Sequence, residues 1–263
     1  MEVLIKASRI SYGIMVAGLA TQQFFYAQFR TVIFPPWPSA GTSLAICTYI
    51  ASLALVLAGL AIIFDKRART VSLILGGVFL LIFCFAQVPY KLMVDQYKSL
   101  GSWTSALKEL AIGGGAFVVA GSFPAGDSEK PAIPGFFEKI IPFGRVCFCI
   151  VLIVFGTDHF LYAEFCASLV PKWIPPGQAF WGYFAGVALI GSGIAIILKI
   201  KLKLTALLLA LMLMLWVILL HIPRAIADPY SLQGNEVSSV FEAFGFSGIA
   251  YLIAYGYHTK EIA

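Results

Sequence analysis

The chain has 263 residues, of which 60% are apolar and only 12% are charged, and its formal net charge is +5. A soluble domain of this length could not hide so much apolar surface, because a compact body still needs a wettable exterior. The charges are spread along the chain without a basic stripe, which argues against nucleic acid as a partner. The composition therefore predicts a protein whose solvent is lipid.

Long apolar runs follow one another from the N-terminus to the C-terminus. Each run has about 17 to 22 residues, which suits a transmembrane helix better than the short alternating strands of a membrane barrel. We therefore expect an all-α polytopic membrane protein with eight transmembrane helices. The predicted spans cover residues 11–29, 43–64, 70–93, 105–122, 144–166, 179–199, 203–222 and 238–257.

The second half of the chain repeats the first. When the halves are aligned, positions 23–29 fall on positions 159–165, with aromatic residues in register. A nearly identical offset places Lys108 on Glu242 and positions 87–89 on positions 221–223. Two matching blocks at nearly one offset predict a tandem duplication.

The duplication predicts two units, residues 1–122 and 144–263, joined by a Pro-rich linker at 123–143. Each unit has four spans, so both enter the bilayer in the same sense, as parallel four-helix-bundle repeats. Both termini, the linker and two short basic loops then share one side, which holds 12 of the 18 Lys and Arg residues. The positive-inside rule places that side, with both termini and the linker, in the cytoplasm.

Five short motifs connect the chain to a known family. They are LKELAIGG at 107–114, GTDHF at 156–160, VPKWIP at 170–175, FWGYFAG at 180–186 and HIPR at 221–224. With them the sequence resembles the DoxX family of small bacterial membrane proteins, in particular its DoxX-like members, once per half. The resemblance implies a four-helix bundle per unit and a place in the bacterial inner (plasma) membrane. Some relatives are linked to thiosulfate oxidation with quinone as acceptor, and others to assemblies that handle oxidative stress.

A set of ionisable residues falls inside the predicted spans of the second half, where each charge is costly and needs an explanation. Their positions along the spans put them at similar depth, toward the extracytoplasmic face. The sequence does not show whether they face one another. The candidates for a catalytic cluster are Asp158, His159, His221, Arg224 and Glu242.

A redox interpretation places a quinone or a thiol substrate beside this cluster. His159 or His221 would bond a carbonyl and relay a proton, since imidazole titrates near neutral pH. The pocket for such a molecule would be lined by Phe160, Tyr162, Trp181 and Tyr183.

Two other interpretations remain open. The two histidines with Asp158 or Glu242 could bind a metal ion, although the spacing is not a recognised signature and we assign no metal ligand. Alternatively the cluster only stabilises packing, with Asp158 or Glu242 paired to Arg224. As a separate alternative, Pro223 ends the helix and His221 caps it.

The expected function is that of a DoxX-like inner-membrane protein taking part in quinone- or thiol-linked redox chemistry at the extracytoplasmic face. Its expected partners are membrane lipid and a soluble or membrane-bound redox protein. The alternatives are a non-catalytic accessory or structural subunit of a redox complex, and a small-molecule transporter. The sequence leaves open whether the protein is an enzyme and which oligomer it forms.

Overall fold

The structure is a computed structural model that describes residues 1–37, 42–94, 99–124 and 136–256. Within these ranges every regular element is helical, in agreement with the predicted all-α class. The long helices are those that the apolar runs predicted, and most of their ends lie within a few residues of the predicted ones.

Eleven α-helices are numbered here in chain order through the described ranges. A π-helical segment, Phe83–Gln87, joins α3 to α4, and a second, Val217–His221, joins α9 to α10. A short 3-10 turn, Leu100–Trp103, precedes α5. The α-helices are α1 Glu2–Tyr26, α2 Thr42–Ile63, α3 Ala68–Ile82, α4 Val88–Met93, α5 Thr104–Gly121, α6 Phe136–Leu161, α7 Ala163–Leu169, α8 Gln178–Ile197, α9 Leu202–Trp216, α10 Ile222–Ala227 and α11 Ser231–Tyr255.

Seven helices in the described part of the chain are long and apolar enough to cross a membrane, when α3–α4 and α9–α10 are each counted as one continuous helix. Their length and composition are those of a membrane protein. The predicted span that is not among the seven is α5, which carries Lys108, Glu109 and three consecutive glycines at 113–115. The total of eight spans therefore stays a prediction.

The helix α5 is nevertheless one of the two helices at the centre of the bundle. It packs against α3, α6 and α11, while α11 packs against α1, α9 and α5. Every residue of α5 from Ala111 to Gly121 is buried. This helix, which carries two charged residues, is thus enclosed by protein, where polar groups can find partners that lipid does not offer.

Small residues allow the closest helix contacts. Gly114 of α5 faces Gly144 of α6, and a Cβ added at Gly114 would lie 2.7 Å from the Gly144 carbonyl oxygen. Gly248 of α11 faces Ser8 and Ser11 of α1, and a Cβ added there would lie 1.9 Å from the Ser11 hydroxyl oxygen. Side chains this small let helix backbones approach each other in a membrane protein.

Each π-helical segment is followed by a proline, Pro89 or Pro223. Proline lacks an N–H group and crowds the carbonyl of the preceding turn, and a π-helical turn is one way for a helix to absorb this disruption. The helix therefore continues through α10 to Ala227, and His221 lies inside it. The alternative in which Pro223 ends the helix and His221 caps it is wrong.

The predicted linker at 123–143 is described only in part. Residues 125–135 lie outside the described residues, as do residues 257–263. Helix α6 already begins at Phe136, so the last part of the predicted linker is helical. The proposed division into units at 122 and 144 stays a prediction.

Replacing Gly114 with alanine should lower the stability of the protein, because the added Cβ would meet the Gly144 carbonyl oxygen at 2.7 Å and force α5 away from α6. Such overpacking costs about 1–3 kcal/mol. The midpoint of thermal unfolding in detergent, followed by circular dichroism, measures this loss. The matched control is Gly191→Ala in α8, where an added Cβ meets no described atom within 4 Å. Equal midpoints for the two variants would contradict the close α5–α6 packing.

Candidate functional site

A cavity of about 620 Å³ lies near the end of the bundle at which α5 and α11 begin. Helices α5, α6, α8, α9 and α11 all contribute to its wall, together with the short helix α7 and the second π-helical segment. Its volume is within the range of pockets that bind small molecules or cofactors.

The structure brings four of the five candidate polar residues to this cavity: Asp158, His159, His221 and Glu242. Asp158 and His159 come from the last turn of α6, His221 ends the π-helical segment and Glu242 lies on α11. The side chains that were predicted to lie at similar depth therefore converge on one cavity. A catalytic role for these residues stays a prediction.

A fifth polar residue of the cavity, Lys108 of α5, forms an ion pair with Glu242. The Lys108 Nζ atom lies 2.6 Å from Glu242 Oε2, and the two side chains are 20% and 4% exposed. Because the residues belong to α5 and α11, the pair joins the two central helices. The alternative in which Glu242 pairs with Arg224 differs from the structure, where Arg224 pairs with Glu236.

Arg224 lies outside the cavity. Its guanidinium donates two hydrogen bonds to the Glu236 carboxylate, from Nε at 2.9 Å and from Nη2 at 2.6 Å. This fork is the geometry in which arginine binds a carboxylate most strongly. Arg224 therefore holds α10 against the beginning of α11, and it does not line the cavity with the other four candidates.

The predicted aromatic lining is half in place. Tyr162 and Trp181 line the cavity, whereas Phe160 and Tyr183 are 44% and 47% exposed and pack against each other at a tilt, with ring centroids 5.7 Å apart. Each residue of an α-helix turns the side chain by about 100°. Phe160 therefore leaves the face on which His159 lies.

Sequence reasoning missed four aromatic residues of the cavity wall. One of them, Phe155, lies four residues before His159 and so on the same face of α6, which is a signal that helical periodicity offers. Trp216 comes one turn before His221. The sequence did not predict the π-helical geometry of this region, so it did not predict that the two side chains share a face. The four are Phe155, Phe165, Trp216 and Phe246.

The cavity collects polar atoms that have no hydrogen-bond partner. Among the described residues these are Asp158 Oδ1, His159 Nδ1, Trp216 Nε1 and Glu242 Oε1, and all four are buried. Buried polar atoms are nearly always hydrogen-bonded in folded proteins, because leaving one unpaired costs free energy. A guest molecule that both accepts and donates hydrogen bonds would satisfy them.

Two further residues of the cavity wall, Tyr162 and Cys166, contact backbone groups of neighbouring segments. The Tyr162 hydroxyl accepts a hydrogen bond from the Gly101 N–H at 3.1 Å, which fixes the end of α6 against the turn before α5. The Cys166 sulfur lies 3.8 Å from the Asp158 carbonyl oxygen. Burial raises the pKa of the Cys166 thiol, and the nearby Asp158 carboxylate raises it further.

A three-ligand metal site is not formed by the described residues. Within their ranges no three His, Cys, Asp or Glu side chains lie close enough together to hold a metal ion. The metal interpretation of the two histidines therefore gains no support from the geometry.

Polar residues of the first half stabilise the beginning of α11. The Arg30 guanidinium donates to the Gln233 carbonyl oxygen and to the Ser238 hydroxyl, each at 2.7 Å. The Gln22 amide donates to the Gly234 carbonyl oxygen at 3.0 Å. Burial lowers the pKa of Arg30, and the charge of Glu242 opposes that shift. Sequence reasoning missed Arg30, whose only signal was the rarity of charge in that half.

Comparison with known proteins gives one partial match. Residues 148–231 match a family model described as a domain of unknown function, DUF8561. The matched segment runs from α6 to the first residue of α11. It includes Asp158, His159 and His221, but neither Lys108 nor Glu242. It covers less than half of the chain. No curated protein and no solved structure matches the chain.

Asp158→Asn should speed the reaction of Cys166 with a water-soluble maleimide at neutral pH, in a background whose other four cysteines are alanine. The Asp158 carboxylate raises the pKa of the thiol, so its removal lowers that pKa and increases the fraction of reactive thiolate. Mass spectrometry of the modified protein gives the rate, which should also rise with pH in both proteins. The control, Glu164→Gln, removes a different carboxylate from α7. A rate unchanged by Asp158→Asn would contradict the cavity geometry.

Proposed function

We propose that the chain crosses a bacterial inner membrane eight times, with both termini in the cytoplasm. Helix α5 supplies the additional span, since its 18 residues extend about 27 Å at 1.5 Å per residue, close to the thickness of the hydrocarbon core. Its enclosure by α3, α6 and α11 shields its polar residues from lipid. In this orientation the cavity opens toward the extracytoplasmic side.

We further propose that the eight spans are two parallel four-helix repeats of DoxX-like type. The two π-helical segments, 83–87 and 217–221, are related by the same sequence offset as Lys108 and Glu242. The first span of each half packs on the last span of the other half, as α1 on α11 and α6 on α5. The contact of Gly114 with Gly144 is equivalent to that of Gly248 with Ser8 when the two halves are aligned.

The function that the cavity supports best is binding of a quinone-class molecule for redox chemistry at the extracytoplasmic face. The observation that carries this proposal is the set of four unpaired polar atoms in a cavity whose wall is mostly aromatic and aliphatic. A quinone ring offers two carbonyl acceptors and a flat apolar face. The Trp216 Nε1–H can donate to a carbonyl, and the Asp158 and Glu242 carboxylates can accept from the hydroxyls of the reduced form.

A bound quinone supplies two-electron, two-proton chemistry, with electrons from a thiol or from a soluble or membrane redox partner. The chain's own contribution is to orient the ring and to move protons. His221 and His159 both line the cavity. His159 Nδ1 is unpaired among the described residues. Either imidazole can hold the proton that a reduced oxygen takes up.

Quinone binding should weaken about tenfold in His221→Ala, which is the loss expected for one hydrogen bond of about 1.4 kcal/mol. The protein is placed in lipid nanodiscs, and quenching of tryptophan fluorescence by a water-soluble quinone measures the affinity, since Trp181 and Trp216 line the cavity. The matched control is Gln87→Ala, which truncates the last residue of the other π-helical segment outside the cavity.

Equal weakening by the two substitutions, or no binding by the unmodified protein, would contradict the proposal. Co-purification with a soluble oxidoreductase in the absence of quinone binding would favour the accessory-subunit alternative instead.

A further inference from the structure

A second, apolar groove of about 440 Å³ lies between α8 and α9. Its wall includes Leu208, Leu211 and Leu215, which are 56%, 55% and 46% exposed, so the groove faces the surroundings of the bundle. Ala188 and Ser192 form the opposite side and are small. In a membrane this groove would open to lipid tails.

The groove has this space because α8 packs on α6 through a different face. Gly186 approaches Gly156 so closely that an added Cβ would lie 3.0 Å from the Gly156 carbonyl oxygen. Gly193 approaches Cys149 in the same way, at 2.9 Å. The glycine face of α8 therefore packs against α6, and the short side chains of Ala188 and Ser192 lie toward α9.

The groove adjoins the polar cavity. Trp181, Met212 and Trp216 line both spaces. The two indole rings meet edge to face with centroids 6.0 Å apart, and so form the boundary. The Trp181 Nε1–H donates to the Pro175 carbonyl oxygen at 3.0 Å, whereas the buried Trp216 Nε1–H has no partner among the described residues.

We infer that the ligand of the cavity is an amphiphile with a single apolar tail, and that the tail crosses the Trp181–Trp216 boundary into the α8–α9 groove, the two indole rings moving apart to admit it. The inference rests on the proposed function and narrows its ligand to a quinone with an isoprenoid or alkyl tail. The polar head meets the unpaired atoms of the cavity, and the tail replaces lipid in the groove. The two spaces together are large enough for both parts.

The position of the tail tests this inference better than its affinity. A tail that moves from lipid into the groove leaves one apolar environment for another. This transfer adds almost no hydrophobic free energy to binding, so the affinity does not report where the tail lies. Two photoreactive quinones are therefore compared in nanodiscs, one with an azide on the ring and one with an azide at the tail end. Mass spectrometry maps the labelled residues. The ring probe should label the cavity wall near His159 and His221, and the tail probe should label α8 and α9 at the groove.

Filling the groove supplies the matched comparison. Ala188→Phe places a ring in the groove without changing any residue of the cavity wall, so the tail label on α8 and α9 should be lost while the ring label remains. The control Val187→Phe adds the same ring at the adjacent position, which is 62% exposed and lines neither space. It should leave both labels unchanged.

The possible outcomes separate the two proposals. A ring label in the cavity with a tail label spread over other lipid-facing helices, or a tail label indifferent to Ala188→Phe, overturns the inference and leaves the proposed function standing. Failure of the ring probe to label the cavity overturns both.

Discussion

Lys108 and Glu242 form an ion pair inside the bundle, and the two side chains are mostly buried. Alone, a lysine or an acidic residue at the centre of a membrane helix would cost about 2.5–3.5 kcal/mol, and removing one partner would leave the other buried and uncompensated. The pair lies between α5 and α11, around which the other long helices are arranged. Both residues also line the cavity. One ion pair therefore holds the two central helices together and positions charged groups in the cavity wall.

The proposed duplication explains why the two members of this pair carry opposite charges. The two residues occupy equivalent positions in the aligned halves, so two identical units related by the same symmetry would bring like charges together there. A fused chain allows the two copies to differ. The first half then uses its remaining polar residues, Arg30 and Gln22 among them, to hold the beginning of α11. The second half carries the two histidines and most of the cavity wall.

Much of the fold follows from the sequence, because long apolar runs permit only helices in lipid and set their lengths. The depth of Asp158, His159, His221 and Glu242 followed from their positions along the spans. Their convergence did not, since periodicity does not fix which helices become neighbours. Chain proximity placed Phe160 and Tyr183 in the pocket, although each residue turns a helix by about 100°. The proline after His221 suggested a helix end, but a π-helical segment lets the helix continue.

A charge-exchange cycle at the central pair tests the account most directly. The free energy of unfolding in detergent is measured for Lys108→Glu, for Glu242→Lys and for the double exchange. Each single substitution places like charges side by side and should destabilise the protein strongly, while the double exchange rebuilds an opposite pair and should recover most of the loss. Harmless single substitutions, or a double variant whose losses simply add, would contradict the view that this pair joins the two central helices.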